Sequence, residues 1–438
     1  MRCFFLLLLF GNLSAELFAQ SYRFDFGNGK ARQGYTRIHT DDRYTADRGY
    51  GFEPGALLQA VERKNMDFIT ASAPFFFSVK LPEGNYTVTI VLGDTEAGSA
   101  TTVRAENRRL LFANIRTKKG QRKKVIATIH IRDSIIRDAQ GTAIAKVRLK
   151  PREISYAHWD NKLTIEFNDS LPKVDAMEIQ RDTNAATVFL AGNSTVVDQD
   201  KEPWAAWGQM FPSFFRPGNI CIANYAESGE TLKAFRGERR LQKIFSLAKP
   251  GDYLFIEFAH NDQKPGSTHL DPFTTYQSTL MEWITEARAH GMVPVLVTSM
   301  HRRSFDTGGK INNTLLEYPE AMRQTAQKAD VALIDLNAMS KTLYEAWGPE
   351  KSVRAFVHFP ANIFPNQPQA LKDDTHFSTY GAYELARCVV QEIRRQKLSL
   401  ASYLKKDTGA FDPSHPDPWE QWYWPLSPLY ASQKPDGN

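Results

Sequence analysis

The sequence predicts two domains of different class: an all-β sandwich, then an α/β domain of three layers built on a five-stranded parallel sheet. Three observations predict this. Up to about residue 182, short apolar segments alternate with polar residues at period two, Gly and Pro mark the turns, and no helix of ordinary length interrupts them. From about Thr183 apolar strands alternate with amphipathic helices, the pattern of a parallel sheet covered on both faces. The length, 438 residues, exceeds what one ordinary core organises.

The chain opens with Met1, Arg2 and Cys3, then a seven-residue apolar run from Phe4 to Phe10. That run is too short to span a bilayer, and with the small and polar residues up to Ala19 it reads as a secretory signal over residues 1–19. Export to the periplasm or the outside follows as an expectation. The sandwich is assigned to residues 21–182. Phe24 with Phe26, Tyr86 with Val88 and Ile90, and Leu163 with Ile165 and Phe167 supply its alternation. A basic run from Arg116 through Lys118, Lys119, Arg122, Lys123 and Lys124 surrounds Gly120 and reads as a solvated hairpin tip.

The α/β domain is assigned to residues 186–400. Its strands are read at Thr187 to Leu190, Asn219 to Ala223, Tyr253 to Phe258, Val293 to Thr298 and Val331 to Leu336. Between the third and fourth, Phe273, Tyr276, Leu280, Ile284 and Ala287 recur at helical spacing, started by Asp271 and Pro272 and stopped by Gly291. A last helix runs from about Tyr380 to Arg395. Residues 401–438 are rich in Pro and Trp, without periodicity, and read as an extended arm over the body, the alternative being that the tryptophans help line a sugar cleft.

Composition narrows the function. Charged residues are 24% and hydrophobic residues 42%, as in soluble globular chains. The formal charge of +5 is mild and no nucleic-acid motif accompanies it. After the signal, no run is long enough for a membrane helix. Cys221 and Cys388 sit in apolar patterns and read as two buried thiols, not as a metal site or a disulfide.

Chemistry gathers where strands end. The first strand of the α/β domain runs into Ala191, Gly192, Asn193, Ser194 and Thr195, a turn that holds a serine hydroxyl at the carboxyl edge of the sheet. Taken alone, Ser194 reads more economically as a helix cap. Three further stretches change that balance: Asn224 to Gly229, then Ala259, His260, Asn261 and Asp262, then Asp373 to Ser378. A serine nucleophile needs a base, for which His376 is the candidate, and the base needs a carboxylate on its other nitrogen. Asp373, three residues upstream, suits that role; Asp374 is the alternative. Oxyanion donors are read as the N–H groups of Ser194 and Gly229 and the amide of Asn261.

These blocks, Gly-x-Ser-Thr, the Asn-to-Gly loop, His-Asn-Asp and Asp-x-x-His-Phe-Ser, resemble those of the SGNH (GDSL-like) hydrolases, and more narrowly rhamnogalacturonan acetylesterases of carbohydrate esterase family twelve. The likeness continues through Trp207, Gly208 and Gln209, Arg302 to Phe305, and Tyr318 to Ala321. Asn193 stands where the family usually has Asp, and Ala259 where it often has Gly. The N-terminal half resembles, more softly, the galactose-binding-like sandwich of some bacterial members, from Phe24 to Gly27 and Gly49 to Phe52.

The resemblance implies a flavodoxin-like catalytic domain and a serine esterase that removes O-acetyl groups from an acetylated acidic polysaccharide, with rhamnogalacturonan the expected substrate and no cofactor or metal required. His260, Arg302 and Arg303 are the candidate substrate-binding residues. The alternatives are an SGNH esterase for acetylated xylan or another acyl ester, and a non-catalytic glycan-binding protein. The oligomeric state is not legible.

Overall fold

The structure, a computed structural model, describes residues 21–64, 66–431 and 434–436. The expected signal, residues 1–19, lies outside the described residues.

The N-terminal half is a sandwich of two sheets. A five-stranded sheet is ordered Tyr50–Phe52, Phe75–Lys80, Lys162–Leu171, Ser99–Ala105 and Arg109–Thr117. It faces strands that include Gly84–Asp94, Gln121–Ile131 and Lys173–Arg181. Phe24, Phe26, Phe52, Phe77, Val88 and Ile165 meet between the layers and are almost fully buried. The residues between them point to the opposite faces, as period two requires, but those faces are covered as well: Asp25, Ser78, Thr89 and Glu166 are also buried. The basic run lies on the turn between Arg109–Thr117 and Gln121–Ile131, which carries the chain from one sheet to the other and is not the hairpin tip the sequence suggests; Lys118, Lys119 and Gly120 are exposed there and Arg122 is paired with Asp175.

In the C-terminal half, strands Ile220–Asn224, Ala186–Gly192, Tyr253–Glu257, Val293–Val297 and Ala332–Ile334 lie side by side in that order, each parallel to its neighbour. Side chains alternate across the sheet. Val188 and Leu190 pack under Trp207, Leu385 and Val389, while Phe189 and Ala191 pack under Phe235, Trp283 and Met322 on the other face. The final helix, Thr379–Arg395, begins at Ser378, whose side chain accepts from Gly381 N–H, and carries Arg394 and Arg395 in its last turn, where cations suit the helix dipole.

Three further expectations change. These strands do not form a sheet of their own: Ile129 of the sandwich pairs with Ile222, so both halves share one twelve-stranded sheet. The hairpin Ile135–Arg137 and Ala143–Lys146, inside the range read as sandwich, leaves it. Ile136, Val147 and Trp159 share a core with Phe189, Ala223 and Leu254 because the short hairpin has no apolar face of its own to bury against. Phe273, read as inward-facing, is 42% exposed. It sits on the wider turn Pro272–Tyr276 that precedes the helix Gln277–Ala289, where side chains fall out of helical register.

The C-terminal arm runs from the last helix back to the sandwich. Trp424 lies under the Arg104 guanidinium at 3.9 Å, Asn168 Nδ2 donates to Leu426 O at 2.9 Å, and Trp424 Nε1 and the Ser427 N–H both donate to buried Glu202. Cys221 and Cys388 are buried free thiols, and burial pushes both well above the usual thiol range. Among the described residues, no helix is long and apolar enough to cross a membrane.

Candidate active site

Ser194 sits in the turn directly after the strand Ala186–Gly192. A Cβ on Gly192 would come within 2.5 Å of Val196 Cγ2, so the chain folds back this tightly only with glycine there. Asn193 Oδ1 then accepts from the Thr195 N–H at 3.0 Å and the Thr195 hydroxyl at 2.9 Å. Both bonds need an oxygen and neither needs a charge, so an asparagine makes them as an aspartate would. The Ser194 carbonyl accepts from Gln199 Nε2 at 2.8 Å, which closes the turn.

His376 and Asp373 arrive on strand Leu371–Phe377. Asp373 Oδ1 accepts from the N–H groups of Thr375 and His376 at 2.9 and 3.0 Å, which bends the chain so that both side chains face one way. Asp373 Oδ2 then lies 2.7 Å from His376 Nδ1, and His376 Nε2 lies 2.8 Å from Ser194 Oγ. A carboxylate on Nδ1 requires the proton there, which leaves Nε2 as the acceptor for the serine hydroxyl. Burial alone would raise the Asp373 carboxyl, but its bond and charge interaction with His376 and the two backbone donors hold it well below the usual carboxylate range. Ser194 is 3% exposed and His376 fully buried. Asp374 points away, to His358 at 2.8 Å and Arg303 at 2.9 Å; the structure thus chooses between the two carboxylates.

The loops that carry Gly229 and Asn261 follow the two strands on either side of the nucleophile's strand. The loop carrying Gly229 is tied to the nucleophile turn by Glu227 N–H donating to Gly192 O at 3.2 Å. Gly229 has φ +82°, a conformation that disfavours any side chain. Among the described residues the N–H groups of Ser194 and Gly229 donate to no protein acceptor. Asn261 Nδ2 donates to Glu230 O at 3.0 Å, which leaves its second hydrogen unassigned.

The expected substrate-binding residues are placed less favourably. His260 is 1% exposed, with neither ring nitrogen hydrogen-bonded among the described residues, and burial keeps it well below the usual histidine range. Arg302 donates to Thr314 O at 3.2 Å and His260 O at 3.3 Å. Arg303 donates to Asp374, Ser352 Oγ and Pro349 O, so it has partners within the protein.

Sequence reasoning missed several groups around the site. Trp204 Nε1 reaches Asp373 Oδ2 at 3.4 Å. Glu257, at the end of its strand, accepts from Thr195 Oγ1 at 3.0 Å and from Ser299, and burial pushes its carboxyl up to about 7. Lys150 and Arg152 reach the Gly229 loop from the N-terminal half. For Gln199 and Trp204 the one legible signal is polar residues crowding directly behind the nucleophile; for Lys150 and Arg152 there is none. Among the described residues no three His, Cys, Asp or Glu side chains gather so as to hold a metal ion.

Residues 22–120 match the family model described as β-agarase/YXIM esterase-like, galactose-binding domain-like. Residues 190–382 match that of the GDSL-like lipase/acylhydrolase family. Over 224 residues the chain is 46% identical to a rhamnogalacturonan acetylesterase, RhgT, of Bacillus subtilis (strain 168), covering 51% of this chain and 95% of the relative. It is 34% identical over 224 residues to a probable rhamnogalacturonan acetylesterase, YesY, of the same organism, covering 50% and 98%. A third relative from that organism, the uncharacterized esterase YxiM, is 25% identical over 409 residues, covering 90% of this chain and 96% of the relative. The chain thus carries a galactose-binding-like domain and, after it, a GDSL-like domain.

Proposed function

The chain belongs to the GDSL-like lipase/acylhydrolase family, and on that premise we propose that it is a carbohydrate O-acetylesterase, acting on acetylated rhamnogalacturonan through an acetyl-enzyme on Ser194. The observation that carries this is His376, whose two nitrogens lie 2.8 Å from Ser194 Oγ and 2.7 Å from Asp373 Oδ2.

The chemistry follows from that bridge. Ser194 Oγ attacks the acetyl carbonyl as His376 Nε2 takes its proton, and the ionised Asp373 stabilises the imidazolium. The negative oxygen of the tetrahedral intermediate is held by the N–H groups of Ser194 and Gly229 and by the Asn261 amide. As the intermediate collapses, His376 returns the proton to the departing sugar hydroxyl. Water, deprotonated by the same imidazole, then attacks the acetyl-enzyme and releases acetate, and Ser194 regains its proton.

The pectin substrate rests on the two acetylesterase relatives at 46% and 34% identity. Export rests on the leader pattern of residues 1–19. Acetate release from purified acetylated rhamnogalacturonan and acetylated xylan tests the substrate: the reading predicts a kcat/KM at least roughly tenfold higher on the first, a difference of about 1.4 kcal/mol in transition-state binding. Equal or reversed preference rejects rhamnogalacturonan, and absence of acetate from both rejects the esterase.

A further inference from the structure

The peptide between Ser228 and Gly229 is gripped from outside the catalytic domain. Its carbonyl, Ser228 O, accepts from Lys150 Nζ at 2.8 Å and from Arg152 Nη2 at 2.8 Å. The same two side chains hold the residues on either side. Arg152 Nη2 and Nε donate to Glu227 Oε1 at 2.8 and 3.2 Å, and Lys150 Nζ donates to Glu230 Oε1. Arg152 Nη1, the remaining arm, meets Asp436 of the C-terminal arm.

Both cations stand at the start of the short 3-10 helix Pro151–Ser155, on the stretch of the N-terminal half that leaves the sandwich. Their own positions are fixed. Glu153 Oε2 accepts from the Lys150 N–H at 2.8 Å and Arg240 Nη2 at 2.5 Å, and Glu153 Oε1 accepts from Trp159 Nε1 at 2.9 Å. Arg148 N–H donates to Glu238 O at 2.9 Å.

A planar trans peptide carries its C=O and its N–H on opposite sides. Whatever fixes Ser228 O therefore fixes the direction of the Gly229 N–H, and positive charge at that oxygen draws electron density through the amide and strengthens the donor at the other end. Gly229, with φ +82°, is the third residue of a turn closed by the Glu230 N–H on Glu227 O at 3.3 Å, and what that closing bond leaves open is a flip of the central Ser228–Gly229 peptide.

We propose that Lys150 and Arg152 are positioning residues of the oxyanion site: clamped on Ser228 O, they aim and polarise the Gly229 N–H, so that the N-terminal half completes the catalytic apparatus. This rests on the reading of Ser194 as nucleophile and of Gly229 as oxyanion donor. Neither side chain touches the reacting atoms. Their effect is transmitted through one peptide group.

The test uses the full chain and 4-nitrophenyl acetate, a substrate too small to reach any sugar subsite. Lys150→Met combined with Arg152→Gln is expected to lower kcat roughly ten- to a hundredfold with KM within about twofold, since misaiming a donor costs less than the hundred- to thousandfold of deleting one. The charge-keeping pair Lys150→Arg and Arg152→Lys is expected to recover most of that loss. A phosphonate that labels Ser194 should react slower with the first pair by the same factor, because its tetrahedral oxygen uses the same donors. If the double variant does not fold, Lys150→Met alone, which leaves Arg152 on Glu227 and Ser228, carries the test with an expected three- to tenfold fall in kcat.

A kcat within twofold of the parent in folded variants overturns the proposal. So does an equal loss in charge-keeping and charge-removing pairs accompanied by an equal drop in Tm, which is the mark of a scaffold role. If the parent chain itself shows no Ser194-dependent hydrolysis, the underlying reading fails instead, and the two failures are told apart by Ser194→Ala run in parallel.

Discussion

Arg109 of the sandwich and Asp198, four residues beyond Ser194, form a buried ion pair in which Nε and Nη2 of the arginine both lie 2.8 Å from Oδ2. The other carboxylate oxygen accepts from Asn224 Nδ2 at 2.8 Å, and the same amide nitrogen donates to Val196 O at 2.7 Å. The N-terminal half is thereby tied to the segment that shapes the nucleophile turn. Removing one partner of such a pair leaves an uncompensated buried charge, which costs about 3–5 kcal/mol. Arg109→Ala is expected to lose that much in urea unfolding, and Arg109→Met with Asp198→Leu to recover part of it. A loss below about 1 kcal/mol in the single variant shows that the joint contributes nothing.

Asp373 and Asp374 adjoin in sequence and diverge in role. Asp373→Asn is expected to lower kcat by about ten-thousandfold, because a neutral partner no longer fixes the imidazole tautomer or stabilises its cation. Asp374→Asn removes a carboxylate that serves His358 and Arg303 near the surface, and kcat on a small acetate ester should stay within about threefold. Steady-state kinetics of the two variants side by side checks this; comparable losses contradict the assignment.

Asn261→Ala removes one oxyanion donor. Its expected cost is about a hundred- to a thousandfold in kcat with KM little changed, since the amide acts on charge that exists only in the transition state. A rise in KM with kcat intact identifies Asn261 instead as a ground-state contact.

Glu257 shapes the pH dependence of stability. Burial pushes its carboxyl up to about 7 from an ordinary 4.5, against the Ser299 and Thr195 hydroxyls and the Trp207 indole, which favour the ionised form. An acid raised on folding keeps a proton that the unfolded chain has released. Stability from this group therefore falls as pH rises from about 4.5 to about 7 and levels off above, by at most about 3 kcal/mol. Glu257→Gln should flatten the decline between pH 5 and pH 8 without abolishing it, because burial also raises Asp262 and Glu384 to about 7. Asp373 acts in the opposite sense: its depressed carboxyl stabilises the fold above the ordinary 3.8 and loses that contribution in acid. Unfolding free energies of parent and Glu257→Gln at the two pH values decide it; identical slopes contradict the reading.

Much of the fold and of the site is legible in the residues because periodicity and strand ends are local signals. The strand ending at Gly192 and the Asp-x-x-His spacing each encode their geometry within a few residues, so the chain by itself points to Ser194, Asp373 and His376. What escapes such a reading depends on contacts between distant segments. Ile136 and Val147 read as sandwich residues, yet they bury against the other half, because nothing local says which apolar surface a short hairpin will find. Phe273 fits helical spacing but stands on a widened turn that shifts it outward. Nothing in the sequence pairs Arg303 with Asp374, seventy-one residues away. Lys150 and Arg152 carry no motif at all; their place beside Gly229 is a consequence of the interdomain packing.

The most direct test of the proposed chemistry is the site of covalent attachment. Full-length chain treated with a serine-reactive phosphonate and analysed by intact mass and peptide mapping is expected to carry one adduct, on Ser194, with acetate release abolished in step. Ser194→Ala should take up none, and His376→Ala should react at least a hundredfold slower, within the range that a positioned base contributes. An adduct elsewhere, or acetate release undiminished in Ser194→Ala, contradicts a mechanism that runs through this serine.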